Sequence, residues 1–136
     1  MFDRLQGPRR RATAVVRRDG CLLIVRDRGF RHFSLPGGGV RNGERPEDAA
    51  VRELKEETSL DALSVSALPQ CSTSDIFNTY HVFLIEAAGE VRLDPIELGE
   101  ALWWDGQRPL RLFGYVKHVL KQLKWPYINA SGILAP

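Results

Sequence analysis

A group of acidic side chains in one stretch of the chain has the spacing of a divalent-cation site. Glu53, Glu56 and Glu57 occupy positions i, i+3 and i+4, so in a helix their carboxylates share one face. Such like-charge pairs cost about 0.2–0.5 kcal/mol each in an exposed helix, and the neighbouring Arg52 offsets only part of that cost. Carboxylate oxygens with no histidine or cysteine nearby are ligands that Mg²⁺ or Mn²⁺ prefers. The cluster therefore predicts a magnesium site, with manganese as the alternative ion.

A run of glycines precedes this acidic cluster and supplies a complementary feature. Gly37–Gly39 carry no Cβ atoms, so their backbone can approach a ligand closely. Gly43 permits a further tight turn that returns Glu44 toward the acidic face. A glycine-rich turn alone is usually only a tight loop, and an acidic cluster alone is usually a solvated helix face. Their succession at this spacing is more specific than either feature, and it indicates a site for pyrophosphate.

Arginine is concentrated in the part of the chain that precedes the glycines. Most of these side chains are expected to be solvated at strand ends and turns. Arg26 and Arg28 lead toward the glycine run, so they are the better candidates to contact a phosphate. The predicted substrate-binding residues are Gly37, Gly38, Gly39 and Arg26.

The elements that must position these residues can be read from local signals. Pro46 suits the first turn of a helix, where its missing N–H is not needed, and a helix is predicted over about residues 46–58. Before it, alternation over Arg11–Arg18 predicts a strand, and Asp19-Gly20 predicts a hairpin turn. The apolar run Cys21–Val25 predicts a strand buried on both faces. The predicted helix thus follows an early pair of strands.

The second half of the chain supplies further strands and a second helix. The predicted strands are Ala62–Cys71, Thr79–Ala88 and Glu97–Asp105. Apolar residues at helical spacing predict an amphipathic helix over Pro109–Lys124. The apolar tail Trp125–Pro136 could pack on the domain or on a second subunit. Several strands with two main helices predict an α/β fold, with a mixed central sheet covered on both faces, in one domain spanning 1–136.

The composition excludes several classes of protein. The apolar fraction is 43% and the charged fraction is 26%, as in ordinary globular proteins. No apolar run reaches the length of a membrane span, and the first residues lack the apolar segment of a secretory signal, so a cytoplasmic location is expected. A net charge of +2 is too small to indicate a nucleic-acid partner. Cys21 and Cys71 lie in apolar contexts and are expected to pack rather than to pair.

The spacing of these residues resembles a known family motif. Gly38, Glu44 and the run Arg52–Leu60 look like the Nudix box, GX5EX7REUXEEXGU, in which U is a bulky aliphatic residue. Every fixed position matches except that Ser59 stands at a usual glycine position. Glu97–Trp104 also resembles a later strand that often carries a tryptophan. The resemblance implies a Nudix-like α/β/α sandwich along nearly the whole chain.

The resemblance also implies roles for individual residues. The implied metal ligands are Glu53, Glu56 and Glu57, with Glu44 supporting or joining the metal shell. Glu53 is in addition the candidate general base, although some family members use a glutamate from a later loop, for which Glu97 and Glu100 are the positions here. Arg52 is implied to orient the glutamates by ion pairing. Serine at position 59 is expected to cost about 1 kcal/mol where glycine is left-handed, with metal binding retained.

The activity implied is that of a Mg²⁺-dependent pyrophosphohydrolase. Such an enzyme cleaves the diphosphate bond of a nucleoside diphosphate linked to another moiety, by attack of metal-activated water on phosphorus. The alternative is a non-catalytic Nudix-like module that binds or senses a nucleotide, but the complete acidic set favours the enzyme. The expected partner is a small nucleotide derivative, and a homodimer is a further expectation because dimers are common in the family. The aromatic candidates for base stacking are Phe77, Tyr80, Phe83, Trp103 and Trp104.

Overall fold

The computed structural model describes residues 8–126. The elements in chain order are β1 (Arg9–Val15), β2 (Arg17–Arg18), β3 (Cys21–Asp27), β4 (Gly37–Gly39), α1 (Pro46–Thr58), β5 (Asp61–Ala67), β6 (Thr73–Ser74), β7 (Asn78–Ala88), β8 (Leu98–Trp104) and α2 (Gly114–Leu123), with a 3₁₀ turn at Pro69–Cys71. Most of the apolar tail and the ends of the predicted domain, 1–136, lie outside the described residues. Between residues 8 and 126, no helix combines the length and hydrophobicity that a membrane span requires.

The strands form two sheets. The larger sheet has the order β4-β1-β7-β5, with β6 also paired to β7, and the smaller sheet has the order β2-β3-β8. Strands β1 and β7 are parallel, whereas β4 pairs with β1 and β5 pairs with β7 in the antiparallel sense. The predicted mixed sheet is therefore confirmed, and β4, the glycine strand, lies at one end of it.

Strand β1 separates two apolar clusters because its side chains alternate between its faces. Ala12 and Ala14 are fully buried and belong to a cluster with Ala49, Ala50 and Leu54 of α1. These small side chains let the helix approach the sheet closely. The second cluster joins the other face to α2 and includes Val15, Leu22, Val116 and Val119. The two helices thus cover the strands from opposite sides, as the predicted α/β/α sandwich requires.

Local signals located most early elements correctly. The hairpin turn at Asp19-Gly20 is present, with φ values of 52° and 77°, and β2 pairs with β3 across it. Leu22–Val25 of β3 are buried on both faces. Helix α1 has the predicted bounds. Both cysteines are free thiols, and Cys71 lies in the core, as expected.

The predicted start of the second helix is wrong. Helix α2 begins at Gly114, because the preceding residues are extended and bridge to the segment before β4. The N–H of Phe33 donates to the carbonyl of Arg111 at 2.7 Å, and the N–H of Phe113 donates to the carbonyl of Phe33 at 3.1 Å. Leu112 therefore packs against the core from extended backbone, although its spacing continues the helical pattern.

Candidate active site

Two hydrogen bonds hold the glycine strand β4 against helix α1. The N–H of Gly37 donates to Oε1 of Glu57 at 2.9 Å. The carbonyl of Gly39 accepts a hydrogen bond from Nη2 of Arg52 at 3.0 Å. Because β4 is also paired with β1, the acidic face of the helix is fixed to the end of the sheet.

An added Cβ atom would collide with a neighbouring group at two positions of β4. A Cβ atom on Gly38 would overlap the carboxylate of Glu53, and a Cβ atom on Gly37 would overlap the backbone carbonyl of Ala12. Cβ atoms are not found at such separations in folded proteins. The run that local composition presented as a loop is a strand paired with β1, and the absence of a side chain at Gly38 makes room for the Glu53 carboxylate.

Arg52 organises the neighbouring carboxylates. Its Nε and Nη2 donate to the two oxygens of Glu44 at 2.8 and 3.0 Å, and its Nη1 donates to Glu53 at 2.9 Å and to Glu56 at 3.3 Å. Hydrogen bonds to Arg52, then to the N–H of Arg41, lower the pKa of Glu44 to about 2. Such charge-assisted, two-point pairing is strong and directional. Arg52 therefore keeps Glu44 ionised and fixes the position of Glu53.

Three carboxylates converge beside this network. Glu53, Glu57 and Glu97 each have a carboxylate oxygen within 4.8 Å of those of the other two. Glu97 lies just before β8, and the N–H of Asp94 in the same loop donates to the carbonyl of Glu57 at 3.1 Å, which holds the loop at the end of α1. Three hard oxygen donors at this separation form a set that Mg²⁺ or Mn²⁺ prefers.

The electrostatics of this cluster also favour a cation. Glu57 is 5% exposed, and burial raises its pKa to about 8, against the stabilising hydrogen bond from Gly37 and with further upward contributions from Glu53, Asp27 and Glu97. Burial, followed by the charge of Glu53, also raises the pKa of Glu97. Desolvated carboxylates close together bind a proton unless a positive charge is supplied. The residues present therefore fit a divalent cation.

A cavity of about 240 Å³ adjoins the cluster at Gly37. Its lining contains mostly polar and aromatic side chains, with one leucine, from several elements: Arg11, Thr13, Asp27, Phe30, Ser34, Leu35, Asn78, Tyr80, Phe113 and Tyr115. The rings of Tyr80 and Tyr115 stack with their centroids 4.1 Å apart and an interplanar angle of 7°. Polar groups set among aromatic rings are typical of a small-molecule site.

The structure places the other predicted site residues around this centre rather than within it. Glu56 is 46% exposed and contacts Arg52 and Arg41, outside the three-carboxylate group. Arg26 donates to the carbonyl of Phe30 at 3.0 Å and lies 3.6 Å from the carboxylate of Glu100; neither residue lines the cavity. Of the two later glutamates, only Glu97 reaches Glu53 and Glu57 among the residues from 8 to 126.

Of the aromatic residues singled out in the sequence, Tyr80 lines the cavity. Phe83 is buried beneath α1, and Phe77 is 69% exposed. Trp104 belongs to the core and donates from Nε1 to the carbonyl of Arg108 at 2.7 Å. Trp103 faces the other way, as adjacent strand residues should, but it packs with the α1 cluster and lies beneath Arg18 rather than beside the cavity.

Sequence reasoning missed the polar residues of the cavity. Arg11 and Thr13 alternate along β1 with Ala12 and Ala14, so the strand pattern alone puts both on the face opposite α1. That alternation was the available signal. No local pattern in the sequence indicated that Asp27 or Tyr115 lines the cavity, because both reach it through the packing of distant segments.

Comparison with known proteins agrees with this geometry. The family model of the NUDIX domain matches residues 7–117. An ADP-ribose pyrophosphatase of Methanocaldococcus jannaschii is 30% identical over 119 residues, covering 82% of this chain and 70% of that protein. An uncharacterised Nudix hydrolase of Rhodococcus erythropolis is 29% identical over 117 residues, covering 78% of this chain and 60% of that protein.

Solved structures show the same fold. The crystal structure of a Nudix hydrolase family member from Chromobacterium violaceum superposes with a TM-score of 0.74 at 25% identity, covering 86% of this chain and 77% of that one. The family match spans the glycine strand, the acidic helix and both sheets. This chain therefore belongs to the Nudix hydrolases, a family of enzymes that act on nucleotide derivatives.

Proposed function

We propose that this protein is a Mg²⁺-dependent pyrophosphohydrolase that cleaves the diphosphate bond of a nucleoside diphosphate linked to another moiety. The observation that carries the proposal is the convergence of carboxylate oxygens of Glu53, Glu57 and Glu97 within 4.8 Å of one another. A cavity lined by Gly37 lies next to this cluster. A substrate whose pyrophosphate lies at the carboxylates would then place its nucleoside in the cavity. Mn²⁺ is the alternative ion, because it accepts the same oxygen donors.

The residues of the site divide into those that hold the cation and those that hold the glutamates. Glu53 and Glu57, with Glu97 as the third donor, would bind the cation; Glu56 lies on the same helix face at the solvent side. Glu44 acts through Arg52, whose remaining donors orient Glu53 and Glu56. When bound, Mg²⁺ supplies neutralisation of phosphate charge and a lower pKa for a nearby water.

Two carboxylates are candidates to accept the proton of the attacking water. We assign this role to Glu53, because Nη1 of Arg52 donates a hydrogen bond of 2.9 Å to Oε1 of Glu53 and so fixes the position of its carboxylate. Glu97 is the alternative, since its exposed carboxyl has a raised pKa. At saturating Mg²⁺, loss of the base lowers kcat, whereas loss of a ligand chiefly raises the Mg²⁺ concentration needed for half-maximal rate. Comparing Glu53→Gln with Glu97→Gln in a Mg²⁺ titration therefore distinguishes the roles.

The experiment that tests the function is a substrate screen in Mg²⁺, in Mn²⁺ and in excess EDTA. The panel contains ADP-ribose, nucleotide sugars, dinucleoside polyphosphates and nucleoside triphosphates, and ADP-ribose comes first because one relative is named for it. We expect a nucleoside monophosphate as one product of a diphosphate-linked substrate, with no product in EDTA. Tight binding of panel compounds with no Mg²⁺- or Mn²⁺-dependent product would instead indicate a non-catalytic nucleotide-binding module.

A further inference from the structure

Arg11 is a half-buried arginine whose guanidinium is held by no hydrogen bond or ion pair within residues 8–126, and it lines the cavity. Some other arginines in this half of the chain are engaged. Arg18 donates to the carbonyls of Gly89 and Ala87, and Arg28 donates to a backbone carbonyl. A guanidinium carries five donors and no acceptor. Its donors are therefore available to a ligand in the cavity.

Asp27 is the other charged residue of the cavity lining. Arg11 acts electrostatically on its carboxylate, so the two opposite charges share one compartment. A phosphate group would gain from Arg11 but would be repelled by Asp27, and the carboxylate cluster already offers a cation site for phosphate. The compartment therefore suits a neutral group that has both acceptors and N–H donors at its edge, among aromatic rings such as Phe30 and Tyr80.

We propose that Arg11 is a specificity-determining residue that donates hydrogen bonds to a carbonyl-bearing base of the nucleotide, of the guanine type. The planar fork of arginine matches the O6 and N7 acceptors of guanine with two donors. Adenine presents an amino group where guanine presents O6, and arginine cannot accept a hydrogen bond from it. Asp27 in turn can accept from N–H groups of the base. The inference rests on the proposed function only in placing the nucleoside in this cavity.

The neighbouring arginine provides a matched control. Arg10 precedes Arg11 on β1, so it points to the opposite face, where it acts electrostatically on His81. Arg10 is exposed and does not line the cavity. Arg10→Met and Arg11→Met therefore remove the same charge from the same strand, but only the second variant changes the cavity.

The test is the binding of GMP and AMP, measured by calorimetry in EDTA, to the wild-type protein, Arg11→Met, Arg11→Lys and Arg10→Met. We expect the wild type to bind GMP about tenfold more tightly than AMP, the value of one good two-donor contact. Arg11→Met should remove most of that ratio, Arg11→Lys should retain part of it, and Arg10→Met should leave it unchanged. Thermal unfolding checks that each variant is folded, and Arg11→Lys serves as the test variant where Arg11→Met is not folded.

Three results would overturn the inference. They are no binding of either nucleotide by the wild type, equal affinities of the wild type for GMP and AMP, or an equal decrease of both affinities in Arg11→Met. The last result would show that Arg11 contacts the phosphate or ribose. Because the calorimetry measures binding and not turnover, its result is independent of the substrate screen. A screen without products beside a GMP-selective loss in Arg11→Met would refute the hydrolase and support the role of Arg11.

Discussion

At the scale of single residues, the raised pKa of Glu57 makes the stability of the protein depend on pH. That pKa is about 8 in the folded protein, above the ordinary value of about 4.5 for the unfolded chain. Between these values the folded state holds a proton that the unfolded state has lost, so stability decreases as pH rises. We predict that the free energy of unfolding in EDTA falls between pH 5 and pH 8, at up to about 1.4 kcal/mol per pH unit. Urea unfolding measures this slope.

The variant Glu57→Gln provides the control for that slope. An amide does not ionise, so the decrease between pH 5 and pH 8 should be smaller than in the wild type. Adding Mn²⁺ at pH 8 should stabilise the wild type more than the variant, since the ion binds the ionised carboxylate. An identical slope in both proteins would show that Glu57 does not titrate in this range.

Gly38 gives a second prediction at this scale. A Cβ atom there overlaps the carboxylate of Glu53, so Gly38→Ala must displace that side chain. We expect at least a tenfold loss of kcat/KM, equivalent to about 1.4 kcal/mol of transition-state stabilisation. Gly39→Ala is the comparison, because the nearest atom to its Cβ is a guanidinium nitrogen of Arg9 at 3.8 Å. Equal losses in the two variants would contradict the steric role of Gly38.

At the scale of elements, helix α1 ends at a residue that departs from the family pattern. Ser59 adopts the left-handed conformation, with φ of 68°, and its N–H donates to the carbonyl of Lys55. We predict that Ser59→Gly raises the free energy of unfolding by about 0.5–1 kcal/mol, since glycine has no Cβ penalty there. The exposed hydrogen bond from Ser59 to the carbonyl of Arg92 is a small loss.

Ser59→Ala separates the two contributions to this helix end. Alanine removes the hydroxyl but keeps the Cβ atom, so it should not be more stable than the wild type. Thermal unfolding of the three proteins measures both effects, and catalytic rates should change little. A more stable alanine variant would show that the serine hydroxyl, rather than the backbone conformation, carries the cost.

The two helices also show how far local pattern reaches. The start of α1 follows from a local signal, Pro46 in its first turn, whereas its end lies at Ser59, where the usual glycine signal is absent. The start of α2 was misplaced because Leu112 is apolar for contact with the core, while its backbone bridges to Phe33. Spacing reports which side chains are buried, and it does not report where their backbone hydrogen bonds go.

At the scale of the whole molecule, sequence spacing likewise predicts only part of the candidate site. Glu53 and Glu57 share one helix, so their proximity follows from sequence spacing. Glu97 joins them only because the loop before β8 is hydrogen-bonded to the end of α1. The cavity is similarly assembled from strands and loops far apart in sequence. A motif therefore predicted two of the three clustered carboxylates, whereas Glu97 and the adjoining cavity required the tertiary structure.

Glu97 and Glu100 allow this assembly to be tested. Glu97 lies in the three-carboxylate cluster, whereas Glu100 pairs with Arg26. We predict that Glu97→Gln weakens Mn²⁺ binding about tenfold or more, since it removes one charged donor, while Glu100→Gln changes it little. Calorimetric titration with Mn²⁺ measures both. A greater loss of Mn²⁺ affinity in Glu100→Gln than in Glu97→Gln would refute the proposed set of metal ligands.

The most direct test of the proposed function is the hydrolysis rate of Glu53→Gln on the best substrate of the screen, at saturating Mg²⁺. The control is Glu47→Gln on the same helix, whose carboxylate is 42% exposed and contacts Arg45. We predict a loss of about 10²-fold or more in kcat for Glu53→Gln, with its thermal unfolding midpoint retained, and an unchanged rate for Glu47→Gln. A folded Glu53→Gln protein that hydrolyses the substrate at the wild-type rate would contradict the account.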